Sequence, residues 1–401
     1  MRPLLILLLS LKPALGLAAE PLEPHARRVI VTFKPEATAA ERAKAVKSLG
    51  INALESVDEL DSLIAEVSAD RISIQSVEAQ AANFSSVLNV EEDFFTNWIK
   101  SPEATFQGSQ LPNWAEVRTA IPALKPASED EIPWGVARVN APAAWPKTQG
   151  AGVRVAVIDT GIDASHPDLH GNVAGGYNAV IFGGSDSFMD DNGHGSHVSG
   201  TIAAAKDGKG VVGVAPMARL YAVKVLDKNG SGWMTSVARG IVWCARHDIQ
   251  VANLSLGAPR GSFLVHMALK YAKSKGVAVI AAAGNSSGHV EWPGAYTDVT
   301  LAVAASGPDD QIASFSSRGK EVAFIAPGVG IKSTVLGGGY DSWDGTSMAT
   351  PHVTGLAALA VSRGARGLDG VRDALKKASR PIGLAATEEG SGMVDAALLV
   401  K

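Results

Sequence analysis

From about residue 131 onward, short and almost uninterrupted apolar runs alternate with longer segments of helical character. The runs are "VRVAVID", "LYAVKVLD", "QVANLSLG", "GVAVIAAAGN", "VTLAVAAS" and "VAFIAPG". A strand with one wet face alternates apolar and polar residues. A run that is apolar at nearly every position is a strand covered on both faces, as in a parallel sheet. Segments such as Met234 to His247 and Ser262 to Lys275 lie between the runs and suit right-handed helical crossovers. The pattern predicts a three-layer α/β domain over residues 131–401, built on a parallel sheet. In such sheets, sites form outside the carboxyl ends of the strands.

A smaller α+β unit precedes it. "RRVIVTFK" reads as a strand, Thr38 to Leu49 as an amphipathic helix, and "INALESVDELDSLIAEVSA" as two strands joined by a turn. A second helix is expected near Ile72 to Asn83, and "VLNVEEDFF" as one closing strand. The order β-α-β-β-α-β is the ferredoxin-like arrangement. No cluster of His, Cys or carboxylates marks a site in it, so by itself it reads as a folding or binding module. Residues 101–130 carry four prolines and little periodicity, which reads as a linker.

The chain begins "MRPLLILLLSLKPALGLAAE". A basic Arg2, an apolar stretch from Leu4 to Leu11 and the small residues Gly16, Ala18 and Ala19 predict a secretory signal over 1–19. The apolar stretch is too short to span a bilayer, and no later segment qualifies. The expectation is an exported protein, extracellular or periplasmic, with no membrane partner.

Composition narrows the choice. A net charge of −4 gives no electrostatic case for binding nucleic acid. With 46% hydrophobic residues, the chain can bury a large core, and a monomer is expected. Cys244 is the only cysteine, so no internal disulfide forms. In "GIVWCARHD" it should face a core and act as a small hydrophobe.

Chemistry-bearing residues gather at the expected strand ends. Asp159 closes "VRVAVID" and Asn285 closes "AAAGN"; His194 lies in "DDNGHGSHVSG", and Ser347 lies in "DGTSMATPHVTG" before an apolar helix. Ser347 alone has two readings: a helix cap, or a hydroxyl set where a helix end stabilises an oxyanion. The chain order Asp, His, Ser matches one order of the hydrolase triad. A serine hydroxyl is a weak nucleophile and needs a base within hydrogen-bond reach. Histidine suits that role, aspartate fixes its tautomer, and an asparagine amide can stabilise the oxyanion beside the Ser347 N–H. A lipase-type elbow needs G-x-S-x-G, which "GTSMA" does not fit. His194 and His197 are three apart without the intervening glutamate of a zincin, so His197 reads as a structural histidine despite the nearby Asp190 and Asp191.

The blocks "VIDTGID", "HGSHVSGT", "AAAGN" and "GTSMATPHV" resemble the signature blocks of the subtilisin-like serine peptidases. They occur in that family's order, over about Ile132 to Val394. The resemblance implies an endopeptidase with Asp159, His194 and Ser347 as its triad and Asn285 as the oxyanion residue. A silent relative that only binds peptides is the alternative, and such relatives usually lack a triad member. Residues 20–100 resemble the family's inhibitory propeptide, through their pattern and "VEED", Val90 to Asp93. The chain's own propeptide then joins protein or peptide substrates as a partner, with an independent binding domain as the other reading.

Substrate-binding segments of the family match Gly230, Ser231 and Gly232 in "NGSG", and Ser255, Leu256 and Gly257 in "SLG". In the family these edges take an extended peptide as an added strand; Gly284 beside Asn285 belongs to the same cleft. Glu291 falls at the base of the primary specificity pocket, where the family is often small. A carboxylate there predicts a preference for lysine or arginine before the cut bond. Self-cleavage after Lys100 would fit that pocket. The resemblance also implies structural calcium, with Asp168, Asp207 and Asp130 as oxygen ligands, although Lys206 and Lys209 change the local charge balance.

Overall fold

The structure is a computed structural model that describes residues 27–67, 73–99, 129–180 and 186–401. The expected signal segment 1–19, Lys100 and all but the end of the linker lie outside the described residues.

The N-terminal unit runs β1 (Arg27–Phe33), α1 (Ala39–Leu49), β2 (Ile51–Val57), β3 (Ser62–Val67), α2 (Ile74–Ala81) and β4 (Val87–Glu92). Its four strands pair antiparallel in the order β2-β3-β1-β4, the ferredoxin-like arrangement. Helix α1 starts at Thr38 in a capping box with Glu41, which satisfies two otherwise free donors. Alternation along β1 decides what each face covers. Val29, Val31 and Phe33 pack with Ala45, Leu49 and Val77 of the two helices. Ile30 points the other way and, with Val57 and Ile64, joins a cluster shared with the larger domain. The small sheet is thus covered on one face by its own helices and on the other by the body of the protein.

Contrary to the expected single closing strand, "VLNVEEDFF" is divided: β4 stops at Glu92, and β5 (Phe95–Asn97) belongs to a different sheet. The break falls at Asp93, whose buried carboxylate is held by Arg28 at 3.0 Å.

The larger domain carries β6 (Arg154–Asp159), β7 (Val173–Asn178), β8 (Arg219–Lys224), β9 (Ser231–Trp233), β10 (Val251–Leu254), β11 (Ala278–Ala282), β12 (Leu301–Ser306) and β13 (Val322–Pro327). A hairpin of β14 (Ile331–Val335) and β15 (Gly339–Trp343) follows, then β16 (Ser379–Arg380) and β17 (Met393–Val394). Nine of these form one sheet, ordered β16-β17-β13-β12-β11-β10-β6-β8-β7. Every pair in it is parallel except β16 with β17. All six expected strands are present. From β6 the chain goes to the edge strand β7, returns to β8 beside β6, then crosses to β10 on the other side and winds outward through β11, β12 and β13, which makes the β10–β6 pair the topological switch point.

The continuous apolar runs still have a period of two. In β6, Val155 and Val157 pack on the layer holding the helices His194–Ala203 and Thr346–Ser362. Ala156 and Ile158 pack on the opposite layer, with helices Met234–Arg246 and Phe263–Ser274. Cys244 is fully buried in that second layer, and burial pushes its thiol pKa well up. A thiol so protonated is inert.

Candidate active site

Three neighbouring strands, β11, β10 and β6, deliver the key side chains at their carboxyl ends. Asp159 is the last residue of β6, Ser255 follows β10, and Asn285 lies just beyond β11. Two helices bring the rest. His194 opens the helix His194–Ala203 after Gly193, whose φ of 109° only glycine adopts readily. Ser347 is the second residue of the helix Thr346–Ser362.

Asp159 and His194 are joined. His194 Nδ1 lies 2.9 and 3.0 Å from the two carboxylate oxygens, and the Thr160 N–H donates to Asp159 Oδ1 at 2.7 Å. Both residues are buried. His194 Nε2 is buried and has no hydrogen-bond partner among the described residues. The expected bond from the Ser347 hydroxyl to that nitrogen is not formed. The hydroxyl instead donates to the Ser255 carbonyl at 3.2 Å, while the Ser255 hydroxyl donates to the Ser347 carbonyl at 2.8 Å.

The capping reading of Ser347 also fails. The helix is capped from outside: Asn285 Oδ1 accepts the Thr346 N–H and the Thr346 hydroxyl, both at 2.9 Å. Ser347 is therefore spared from capping, at a helix end whose dipole favours negative charge. Asn285 Nδ2 lies beside Gly345, where an added Cβ would sit 3.5 Å from it.

Below Ser347 and Asn285, the residues Leu256, Gly257, Ala282, Gly284 and Glu291 line a cavity of about 10 Å³. That is room for about one water. Glu291 fills the rest. A Cβ on Gly257 would lie 2.5 Å from Glu291 Oε2, and one on Gly284 would lie 2.7 Å from its Cγ. The Glu291 side chain is buried, and its carboxylate has no hydrogen bond or ion pair among the described residues.

The cleft beside this cavity is occupied by the N-terminal unit's own tail. Strand β5 pairs antiparallel with β9, setting Thr96 opposite Gly232 and Asn97 opposite Ser231. Trp98 then bridges both edges: its N–H donates to the Gly230 carbonyl and its carbonyl accepts the Gly257 N–H, each at 3.0 Å. The Trp98 indole is buried in a cluster with Leu226, Met234 and Leu256 and donates to the Gly232 carbonyl at 3.0 Å. The segments Gly230–Gly232 and Ser255–Gly257 thus take an extended chain between them.

Two carboxylates of "VEED" make contacts that the sequence alone does not reveal. Glu91 accepts the N–H groups of Phe263 and Leu264 at 2.9 and 2.7 Å and the Ser262 hydroxyl at 3.1 Å. Asp93 accepts the Thr235 N–H at 3.1 Å. The two carboxylates therefore sit on the first turns of two helices of the larger domain. Burial raises both pKa values despite these donors.

His197 stacks on Trp343 with ring centroids 4.4 Å apart, and burial holds its pKa down to about 3. It is a neutral core residue, as expected. Among the described residues, no three His, Cys, Asp or Glu side chains converge as a metal-holding group. The three candidate calcium ligands do lie around one loop. Asp168 Oδ2 accepts the Val211 N–H at 2.9 Å and the Tyr340 hydroxyl at 3.0 Å, while its buried Oδ1 has no partner among the described residues. Asp130 accepts the Gly208 N–H at 2.7 Å and pairs with Lys206 at 3.6 Å; Asp207 pairs with Lys209 at 3.8 Å.

The sequence pattern of the subtilase family matches residues 150–383. The chain belongs to the subtilase family. It is 40% identical over 372 residues to an alkaline protease of Shouchella clausii, covering 90% of this chain and 92% of that protein. It is 46% identical over 268 residues to subtilisin Savinase of Lederbergia lenta, covering 66% and 97%. Alkaline elastase YaB of Bacillus sp. (strain YaB) is 39% identical over 370 residues, covering 90% and 92%. This subtilase is a serine endopeptidase that acts on protein substrates.

Proposed function

We propose that this subtilase cleaves peptide bonds through an acyl-enzyme on Ser347, and that it is made as a zymogen silenced by its own N-terminal unit. The observation that carries the reading is the Asp159–His194 pair at 2.9 Å, with Nε2 buried and unpartnered among the described residues. A substrate chain takes the place of the tail between Gly230–Gly232 and Ser255–Gly257. The Ser347 hydroxyl leaves the Ser255 carbonyl and gives its proton to Nε2 as its oxygen attacks the substrate carbonyl. Catalytic hydrogen bonds are often completed only with substrate bound. Asp159 holds Nδ1–H, so that Nε2 is the base, and stabilises the imidazolium. The Asn285 amide and the Ser347 N–H receive the oxyanion. The imidazolium then protonates the leaving amine, and water repeats the steps to free the acid.

The N-terminal unit is the inhibitory propeptide in this reading, with the chain around Trp98 lying as a product would. Cleavage after Lys100 follows naturally, although Lys100 itself lies outside the described residues. Glu291, a buried carboxylate without a counter-ion among the described residues, favours a lysine or arginine before the cut bond. The cavity of about 10 Å³ means that Glu291 must swing toward the mouth to meet a long side chain. Export follows from the signal pattern of residues 1–19.

Structural calcium at the loop around Asp168 has one support, the unpartnered Oδ1 of Asp168, a hard oxygen of the kind the ion takes; Asp130 and Asp207 do not converge with it in this structure and would have to move to join it. Bound there, calcium would neutralise these carboxylates and tie the loop to the start of the domain; Lys206 and Lys209 would yield their partners to it.

The test is incubation of the purified protein with a denatured protein substrate, alongside Ser347→Ala and a serine-reactive inhibitor. Hydrolysis abolished by both is expected. Undiminished hydrolysis by Ser347→Ala overturns the mechanism.

A further inference from the structure

Between the end of β6 and the loop before His194, one carboxylate collects five hydrogen bonds. Asp190 Oδ1 accepts from the Thr160 hydroxyl at 2.8 Å and from the N–H groups of Asn192 and Gly193 at 2.9 Å each. Its Oδ2 accepts from the Ser196 N–H at 2.9 Å and the Ser196 hydroxyl at 2.7 Å. Asp190 is 9% exposed. A carboxylate withdrawn from water this far is costly unless donors surround it, and charge-assisted bonds are about twice as strong as neutral ones. Here all the backbone donors lie within two residues of His194.

The other end of the link is Thr160. Its hydroxyl also accepts the Gly195 N–H at 3.0 Å, and its own N–H donates to Asp159 Oδ1. The imidazole's loop is therefore fastened to the Thr160 and Asp190 side chains, and the imidazole's acceptor to the backbone N–H of the same Thr160. Backbone contact presses them together: a Cβ on Gly161 would lie 2.5 Å from the Phe188 carbonyl oxygen and 2.8 Å from the Asp190 nitrogen. Lys224 adds a second tie, its buried Nζ donating to the Thr160 carbonyl and to Asp191 Oδ1 at 2.6 Å each.

We infer that Asp190, acting through Thr160, is the positioning residue that fixes the His194 imidazole against Asp159. The inference rests on the serine mechanism proposed above. Asp190 touches neither substrate nor reacting atoms. It sets where Nε2 stands when the Ser347 proton arrives, and a misplacement near 1 Å costs about 100-fold in rate. Binding of substrate, which depends on Gly230–Gly232 and Ser255–Gly257, is left alone.

The experiment measures kcat and KM separately on one peptide anilide for wild type, Thr160→Val, Thr160→Ser, Asp190→Asn and Ser347→Ala. All are full-length chains activated by the same trace of wild-type enzyme, whose background the Ser347→Ala sample reports. Thr160→Val and Asp190→Asn should lose about 100-fold in kcat and keep KM within about twofold, as a loss confined to the transition state does. Thr160→Ser, which keeps the hydroxyl, should stay near wild type. Wild-type kcat in Thr160→Val and Asp190→Asn, beside a silent Ser347→Ala, overturns the inference and leaves the mechanism standing. An active Ser347→Ala overturns both. If Asp190→Asn does not fold, the Thr160 pair decides: loss in Val with rescue in Ser supports the inference, and equal rates overturn it.

Discussion

Ser347 and Ser255 hold each other by two reciprocal hydrogen bonds, hydroxyl to carbonyl in each direction, at 3.2 and 2.8 Å. The pair ties the start of the helix Thr346–Ser362 to the end of β10, and Asn253 Nδ2 donates to the Ser255 hydroxyl at 2.9 Å beneath it. Ser255→Ala strips the buried Ser347 carbonyl of that donor and Asn253 of an acceptor. A buried polar group left unsatisfied costs about 1–3 kcal/mol. Denaturant unfolding should show a loss of that size, whereas unchanged stability would mean that water replaces the hydroxyl without cost.

Glu291 sets the expected selectivity. Glu291→Gln keeps the shape and removes the charge, so hydrolysis after lysine should fall about 10-fold or more, the scale of one charge-assisted hydrogen bond, with leucine and phenylalanine peptides little affected. Equal lysine rates for both proteins would mean that the carboxylate stays folded against Gly257 and Gly284.

Trp98 anchors the tail in the cleft. Trp98→Ala removes a buried aromatic side chain, a change worth about 3 kcal/mol in a packed core. The lag before full-length protein becomes active should shorten markedly. A lag identical to wild type would place the inhibition elsewhere, in contacts such as Arg260 with Glu92 and Arg246 with Glu59.

Two buried histidines give the stability a pH dependence. Burial lowers the pKa of His197 to about 3 and of His352 to about 4, against about 6.5 in the unfolded chain. Below pH 6.5 the unfolded chain binds protons that the native protein refuses. Their contribution is therefore complete above about pH 6.5 and is lost as pH falls toward the folded values. Glu91, Asp93 and Asp168, whose pKa values are raised, act in the opposite sense: their contribution is lost as pH rises above the unfolded carboxylate values. Unfolding free energies from pH 7 to 4 should fall for wild type, and the slope should flatten in His352→Gln. An unaltered slope would mean that His352 does not contribute to the pH dependence.

What the sequence made legible follows from how far each signal reaches. The six long strands announce themselves because both faces are buried, as Val155 to Ile158 illustrate. Strand β7 does not, because Gly175 and Gly176 interrupt it and its register shifts there; β16 and β17, at two residues each, leave no pattern. The break at Asp93 was hidden for another reason. Asp93 is held there by Arg28 and by Thr235, both remote along the chain. The same holds at the site. Asp159, His194, Asn285 and Ser347 are visible as motifs, but the cap that Asn285 provides, the Ser255–Ser347 lock and the Thr160 bond to Asp190 arise only when distant segments meet.

In the proposed mechanism Ser347 is the nucleophile and His194 its base. A fluorophosphonate that bonds covalently to activated serines, followed by peptide mapping of the labelled protein, tests it most directly. One modified residue is expected, Ser347, with labelling lost in His194→Ala. A label on any other serine, or labelling of Ser347 that is undiminished in His194→Ala, would contradict it.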